Sequence, residues 1–91
     1  MLKYQIDSKL LKSLQKIQKK DIKSYNNILT KIEEIIHSNE ETILNYKNLK
    51  YPLQHLKRVH INTKFILLFR FDSNNKLVIF ESYKHHDEAY K

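Results

Sequence analysis

The hydrophobic period of this chain changes at Pro52, its only proline. Upstream, apolar residues recur at intervals of three and four. Downstream, they alternate. Helices grouped in one half and strands in the other predict an α+β fold with an antiparallel sheet, not a wound α/β sheet. Residues 2–6 alternate and read as a first strand. Ser8 offers a helix N-cap, followed by Leu10, Leu11, Leu14 and Ile17 at helical spacing. Asp21 can cap a second helix, along which Ile22, Tyr25, Leu29, Ile32 and Ile36 form a stripe. Ser38-Asn39 ends it, and residues 39–52 read as a long loop. Residues 55–61, 64–71 and 76–83 then form three strands. Asn62-Thr63 makes the first turn and Asp72-Ser73-Asn74-Asn75 the second, with asparagine supplying the left-handed residue.

The expected fold is thus βααβββ, a two-helix hairpin packed on one face of an antiparallel sheet. One domain covers residues 1–91. Phe65, Leu67, Phe69 and Phe71 share the face turned to the helices, and Lys57, Val59 and Ile61 share a face of the strand before. Arg58, His60 and Arg70 share the other face with Ile66 and Leu68. An antiparallel sheet can leave that face to solvent or ligand.

Composition narrows the chemistry. The chain has no cysteine, which excludes disulfides, zinc ribbons and thiol catalysis. It has no glycine, which excludes phosphate-cradling glycine loops. The longest apolar run, residues 65–69, is too short to span a membrane, and the start lacks a signal-peptide core. A cytoplasmic protein without membrane contact is expected. Lys and Arg number 17 against 10 acids, a net charge of +7. Such an excess, gathered on one face, points to nucleic acid.

With these elements placed, the chain resembles the RelE/ParE superfamily of type II toxin–antitoxin toxins along its whole length. The segments "NLKYPLQHLKRVHI", "FILLFRFD" and "LVIFESYKHHDEAY" carry the resemblance. Leu53 to Ile61 resembles the "PL…KRVH" strand of archaeal RelE-like members, and His85-His86-Asp87-x-x-Tyr90 resembles their C-terminal "HHDxxY". One departure is clear: Ile66 aligns where many RelE-like toxins carry an arginine, and Arg70 is the nearest candidate to replace it.

The RelE-like branch implies an endoribonuclease (an mRNA interferase) that cleaves mRNA in the ribosomal A site by 2′-OH attack, with no metal and no cofactor. The ParE-like branch implies a DNA gyrase poison instead. A third reading is a non-catalytic member that only binds RNA or antitoxin. Both toxin branches imply a cognate antitoxin and a toxin–antitoxin hetero-oligomer. Cleavage by 2′-OH attack needs a base, an acid and cations to hold the developing phosphorane charge. The catalytic candidates are Arg58, Arg70, His85, His86 and Tyr90; neighbours on an extended chain point opposite ways, so one of the two histidines is expected to enter the site, His86 being preferred. Lys57, His60, Lys64 and Lys91 are the expected RNA-binding residues.

Overall fold

A computed structural model of the chain describes residues 1–89. Its elements are β1 (Lys3–Ile6), α1 (Ser8–Lys20), α2 (Ile22–Ile36), α3 (Glu40–Asn45), β2 (Lys57–His60), β3 (Phe65–Asp72), β4 (Leu77–His85) and α4 (His86–Ala89).

Local chemistry sets the helix ends. Asp7, one residue before the expected cap, accepts the Lys9 backbone N–H at 3.0 Å and starts α1. Asp21 alone connects the helices. Its backbone N–H donates to the Ile17 carbonyl, closing α1, and its carboxylate accepts the Ser24 backbone N–H at 3.1 Å, opening α2. The Ser24 hydrogen bonds hold the Asp21 carboxyl below its usual range. Lys19 and Lys20 occupy the last turn of α1, where the helix dipole favours cations.

The buried stripe of α2 is rotated from the expected one: Ile28, Ile32, Ile35 and Ile36 are buried. Ile22, which opens α2 beside the turn, is exposed, as is Leu11 on the flank of α1. The expected loop 39–52 holds a helix. Asn39 accepts the Thr42 backbone N–H at 2.9 Å, Glu40 and Glu41 sit in the first turn, and Ile43 is fully buried.

The sheet order is β1-β4-β3-β2. The β2-β3-β4 meander is antiparallel. β1 instead joins β4 in parallel, so the sheet is mixed at that edge. Parallel neighbours need a long crossover, and everything from α1 to β3 supplies it. In the β3–β4 turn the left-handed residue is Lys76, with φ 54°. The asparagines expected there instead donate their backbone N–H groups to the Asp72 carboxylate.

The main core lies between the helices and one sheet face. Leu67, Phe69, Val78 and Phe80 meet Leu10, Leu14, Ile43 and the α2 isoleucines. The opposite face is not left open. Ile66 and Leu68 are buried there beneath Leu49, Leu56 and Ala89. The segment after α3 folds back along β2, through Leu49 N–H to the Leu56 carbonyl at 2.9 Å and Arg58 N–H to the Lys47 carbonyl at 3.0 Å. It and α4 cover the middle of the sheet, so polar groups on this face stand around a second small core. Among the described residues, no helix is long and apolar enough to cross a membrane.

Candidate functional site

Among the described residues, one exposed part of this face is at one end of the sheet. There β2 finishes, β3 starts, and β4 passes directly into α4. His60 stands opposite Ile66, and Ile66 opposite Lys84. Cross-strand partners share a face, so His60 and Lys84 flank a buried isoleucine. Arg58, two residues before His60, stands on the same face and is half-buried. The His86 backbone N–H donates to the Lys64 carbonyl at 2.7 Å. This anchors α4 so that the His86 ring stacks on His60, with centroids 5.9 Å apart and planes at 23°.

His85 goes the other way. Its ring meets the edge of Phe65 at 5.3 Å, opposite Phe65 in the register. The Asp87 backbone N–H donates to His85 Nδ1 at 3.2 Å, which leaves the neutral ring's proton on Nε2. The Asp87 carboxylate stands 3.7 Å from His85 Nδ1 and 3.9 Å from His86 Nδ1, a negative charge beside both rings.

The expected site residues divide clearly. Arg58, His60 and His86 come together at the sheet end, with Lys64 in the adjoining turn. Arg70 does not join them. It is four residues along β3 from Ile66, about 13 Å at strand rise, and its Nε donates to Glu81 Oε1 at 2.6 Å. The bulge between Leu68 and Phe69, where register passes from Ser82 to Phe80, brings Glu81 to it.

Lys57 is a correction. It is 7% exposed, and its ammonium donates to the Tyr46 carbonyl at 3.2 Å and Asn48 Oδ1 at 3.0 Å. Burial pushes its pKa below the usual lysine value. An ammonium engaged this way fastens the segment after α3 and does not stand free at the surface. Tyr90 and Lys91 lie outside the described residues.

One neighbour of the site was missed in the sequence: Lys84 is exposed beside Ile66, and the alternation of the third strand could have placed it there. Asp87, which the sequence offers as a cap or a partner to a histidine, lies beside both rings. Ile66 explains the departure at the aligned arginine position: fully buried under Leu49, Leu56 and Ala89, it leaves no room for a guanidinium. Among the described residues, no group of three or more His, Cys, Asp and Glu side chains could hold a metal ion.

No protein-family model matches the chain. It is 46% identical, over its whole length and 93% of the relative's, to "Putative toxin RelE4" of Methanocaldococcus jannaschii. It is 42% identical over 85 residues, 93% of this chain and 94% of the relative, to an uncharacterized protein of Methanosarcina mazei. Among solved structures, YafQ of E. coli superposes with a TM-score of 0.73 at 16% identity, covering all of both chains. A YoeB-YefM complex of Staphylococcus aureus gives 0.71 at 18% identity, covering 94% of this chain and 98% of that one. The structures establish the shared fold. The full-length identity to the M. jannaschii protein goes further: this chain belongs to the RelE family of toxins from toxin–antitoxin systems.

Proposed function

We propose that this toxin is an endoribonuclease that cleaves mRNA by attack of a ribose 2′-OH on the adjacent phosphate, on translating ribosomes. The observation that carries this reading is the stacked His60–His86 pair beside Arg58 on one sheet face. One imidazole, neutral, accepts the 2′ proton as the 2′ oxygen bonds to phosphorus. The other, protonated, gives a proton to the departing 5′ oxygen as its bond to phosphorus breaks. The products are a 2′,3′-cyclic phosphate and a 5′-hydroxyl. Arg58 offers a permanently charged planar fork to the phosphorane oxygens, and Lys84 and Lys64 add positive charge. The Asp87 carboxylate stands 3.9 Å from His86 Nδ1, a negative charge beside that ring. Tyr90 is proposed as a further contact to base or phosphate.

The protein is further proposed to be neutralised by a cognate antitoxin, as the fold neighbour YoeB of S. aureus pairs with YefM in a toxin–antitoxin complex. The test of the nuclease reading is primer extension on mRNA from translating ribosomes with wild type, His86→Ala and His60→Ala. The reading expects A-site cuts from wild type, weakened by 10²- to 10⁴-fold in either variant, the usual contribution of one acid or base. Full cleavage by both variants refutes the histidine assignment. A folded wild type that never cuts, yet traps gyrase on DNA, refutes the nuclease reading.

A further inference from the structure

The site leaves unused the strongest concentration of one charge in the molecule. α1 carries Lys9, Lys12, Lys16, Lys19 and Lys20 and no acidic residue. At 100° per residue, all five fall within about 100° of arc, turned away from buried Leu10 and Leu14. All five are exposed. The ion pairs of the described residues lie elsewhere, between Lys31 and Glu34, Arg70 and Glu81, Lys76 and Glu40, and the histidines and Asp87. Concentrating five like charges on one helix face costs repulsion that pairing would relieve.

Beside this row lies a cleft of about 400 Å³, at the small end of the roughly 300–1,000 Å³ range of ligand clefts. Its lining combines Lys16 and Lys20 with the Asp21 carboxylate, Ile17 and the rings of Phe65 and Tyr83. Those two rings are stacked, 5.0 Å apart and 11° from parallel. Phe65 also meets His85, whose neighbour His86 belongs to the opposite face. The cleft and the histidine pair thus lie on either side of the same sheet end.

We infer that the α1 lysine face and this cleft form a second contact for single-stranded RNA, phosphates along the lysines and one base against the Phe65–Tyr83 wall. The inference rests on the reading of RNA as substrate. The row is about 16 Å long, enough for on the order of four or five nucleotides at about 3.4 Å each. Charge and one stacking wall suffice for an unpaired strand. A protein partner fits less well, because interface cores are depleted in lysine, and the row itself presents only lysines and Ser13.

The test is fluorescence anisotropy of a labelled twelve-nucleotide oligouridine against salt, with the full chain and with the Lys12→Gln/Lys16→Gln/Lys19→Gln variant. Glutamine matches lysine in helix propensity, and circular dichroism verifies the fold. At about 0.7 per contact on a single strand, three lysines lower the slope of log affinity against log salt by about 2. Over the decade from 1 M to 0.1 M salt, that is about a hundredfold loss of affinity. The same oligomer with abasic sites should bind roughly tenfold more weakly to wild type.

An unchanged slope in the variant overturns the inference and leaves the lysine face to an acidic protein partner. Equal affinity for the abasic strand overturns the base cleft. Failure of the nuclease reading is separate: a wild type that shows the lysine-dependent slope yet leaves ribosomal mRNA uncut keeps this surface and loses the chemistry.

Discussion

Replacing Lys57 with methionine separates its structural role from an RNA-contact role. Methionine keeps the length of the buried stem and removes the ammonium. Two acceptors lose their donor, the Tyr46 carbonyl and Asn48 Oδ1. Asn48 is exposed, so its amide turns to water at little cost. Tyr46 is half-buried, so its carbonyl bears the loss, about 1.5–3 kcal/mol for a hydrogen bond to a charged group. Removing a desolvated charge offsets part of this, leaving about 1–2 kcal/mol of destabilisation. Lys57→Ala also removes three buried methylenes, at about 0.8 kcal/mol each, for about 2 kcal/mol more. In a domain of this size about 1 kcal/mol moves Tm by about 4–8 °C, so the methionine variant should melt roughly 5–15 °C early. The pH dependence has a definite sign. Burial lowers the Lys57 pKa from 10.5, so between the lowered value and 10.5 the unfolded chain binds more protons. The destabilisation from the charged form is complete below that window and disappears as pH rises through it. Lys57→Met should remove this rise in stability. Urea melts at pH 7 and across the alkaline range measure both effects, and anisotropy with RNA supplies the control. A methionine variant that melts like wild type but loses RNA affinity would refute the structural assignment.

Two further substitutions probe the connections on which the site depends. Asp21→Asn keeps an N-cap acceptor but removes the carboxylate whose pKa Ser24 lowers. The stabilisation it removes is present above the ordinary aspartate pKa and lost as pH falls through the lowered one, so the variant's Tm should converge on wild type in acid; an equal gap at pH 7 and pH 2 counts against the cap. Leu68→Ala tests the covered face. At 2% exposure it should cost about 2–5 kcal/mol in a urea melt, whereas a change near zero would mean that the segment after α3 and α4 do not cover the sheet.

The legible parts of the fold were those with a period. The change at Pro52 separates helices from meander, and the Phe65-Leu67-Phe69-Phe71 alternation marks the face that meets α1 and α2. Asp21 works as a hinge because a single carboxylate can open one helix where its own backbone N–H closes another. α3 was legible in retrospect, since Asn39-Glu40-Glu41-Thr42 is a capping sequence, but with only six residues it gives no stripe to detect. The rotated stripe of α2 shows the limit of periodicity. Ile28 and Leu29 fit almost the same pattern, and packing against the sheet decides between them. Lys57 was misread because alternation assigns a face but not an environment: its position on the helix side was legible, while the Tyr46 carbonyl waiting for its ammonium depends on a loop path that no local rule specifies. Arg70 fails for a related reason, since the bulge that presents Glu81 shifts register by one residue.

The covered outer face changes what the two adjacent histidines mean. On an open sheet, Arg58, His60 and Arg70 would form one broad cationic surface. Burial of Ile66 and Leu68 under Leu49, Leu56 and Ala89 closes its centre, and Arg70 pairs with Glu81 at the far end. The residues proposed for acid–base chemistry stay together at the sheet end. There β4 passes into α4 between His85 and His86, so one peptide bond separates a side chain against Phe65 from one stacked on His60. The cover and the site consequently share a cause. Ala89 packs over Ile66 and Leu68 from the same short helix whose first residue brings His86 to His60. Apolar burial beneath α4, together with the His86 N–H to Lys64 carbonyl bond, fixes the distance between the two imidazoles. The isoleucine standing at the aligned arginine position is thus part of the same arrangement: it gives up a cation on β3 and supplies the apolar surface that holds His86 in place.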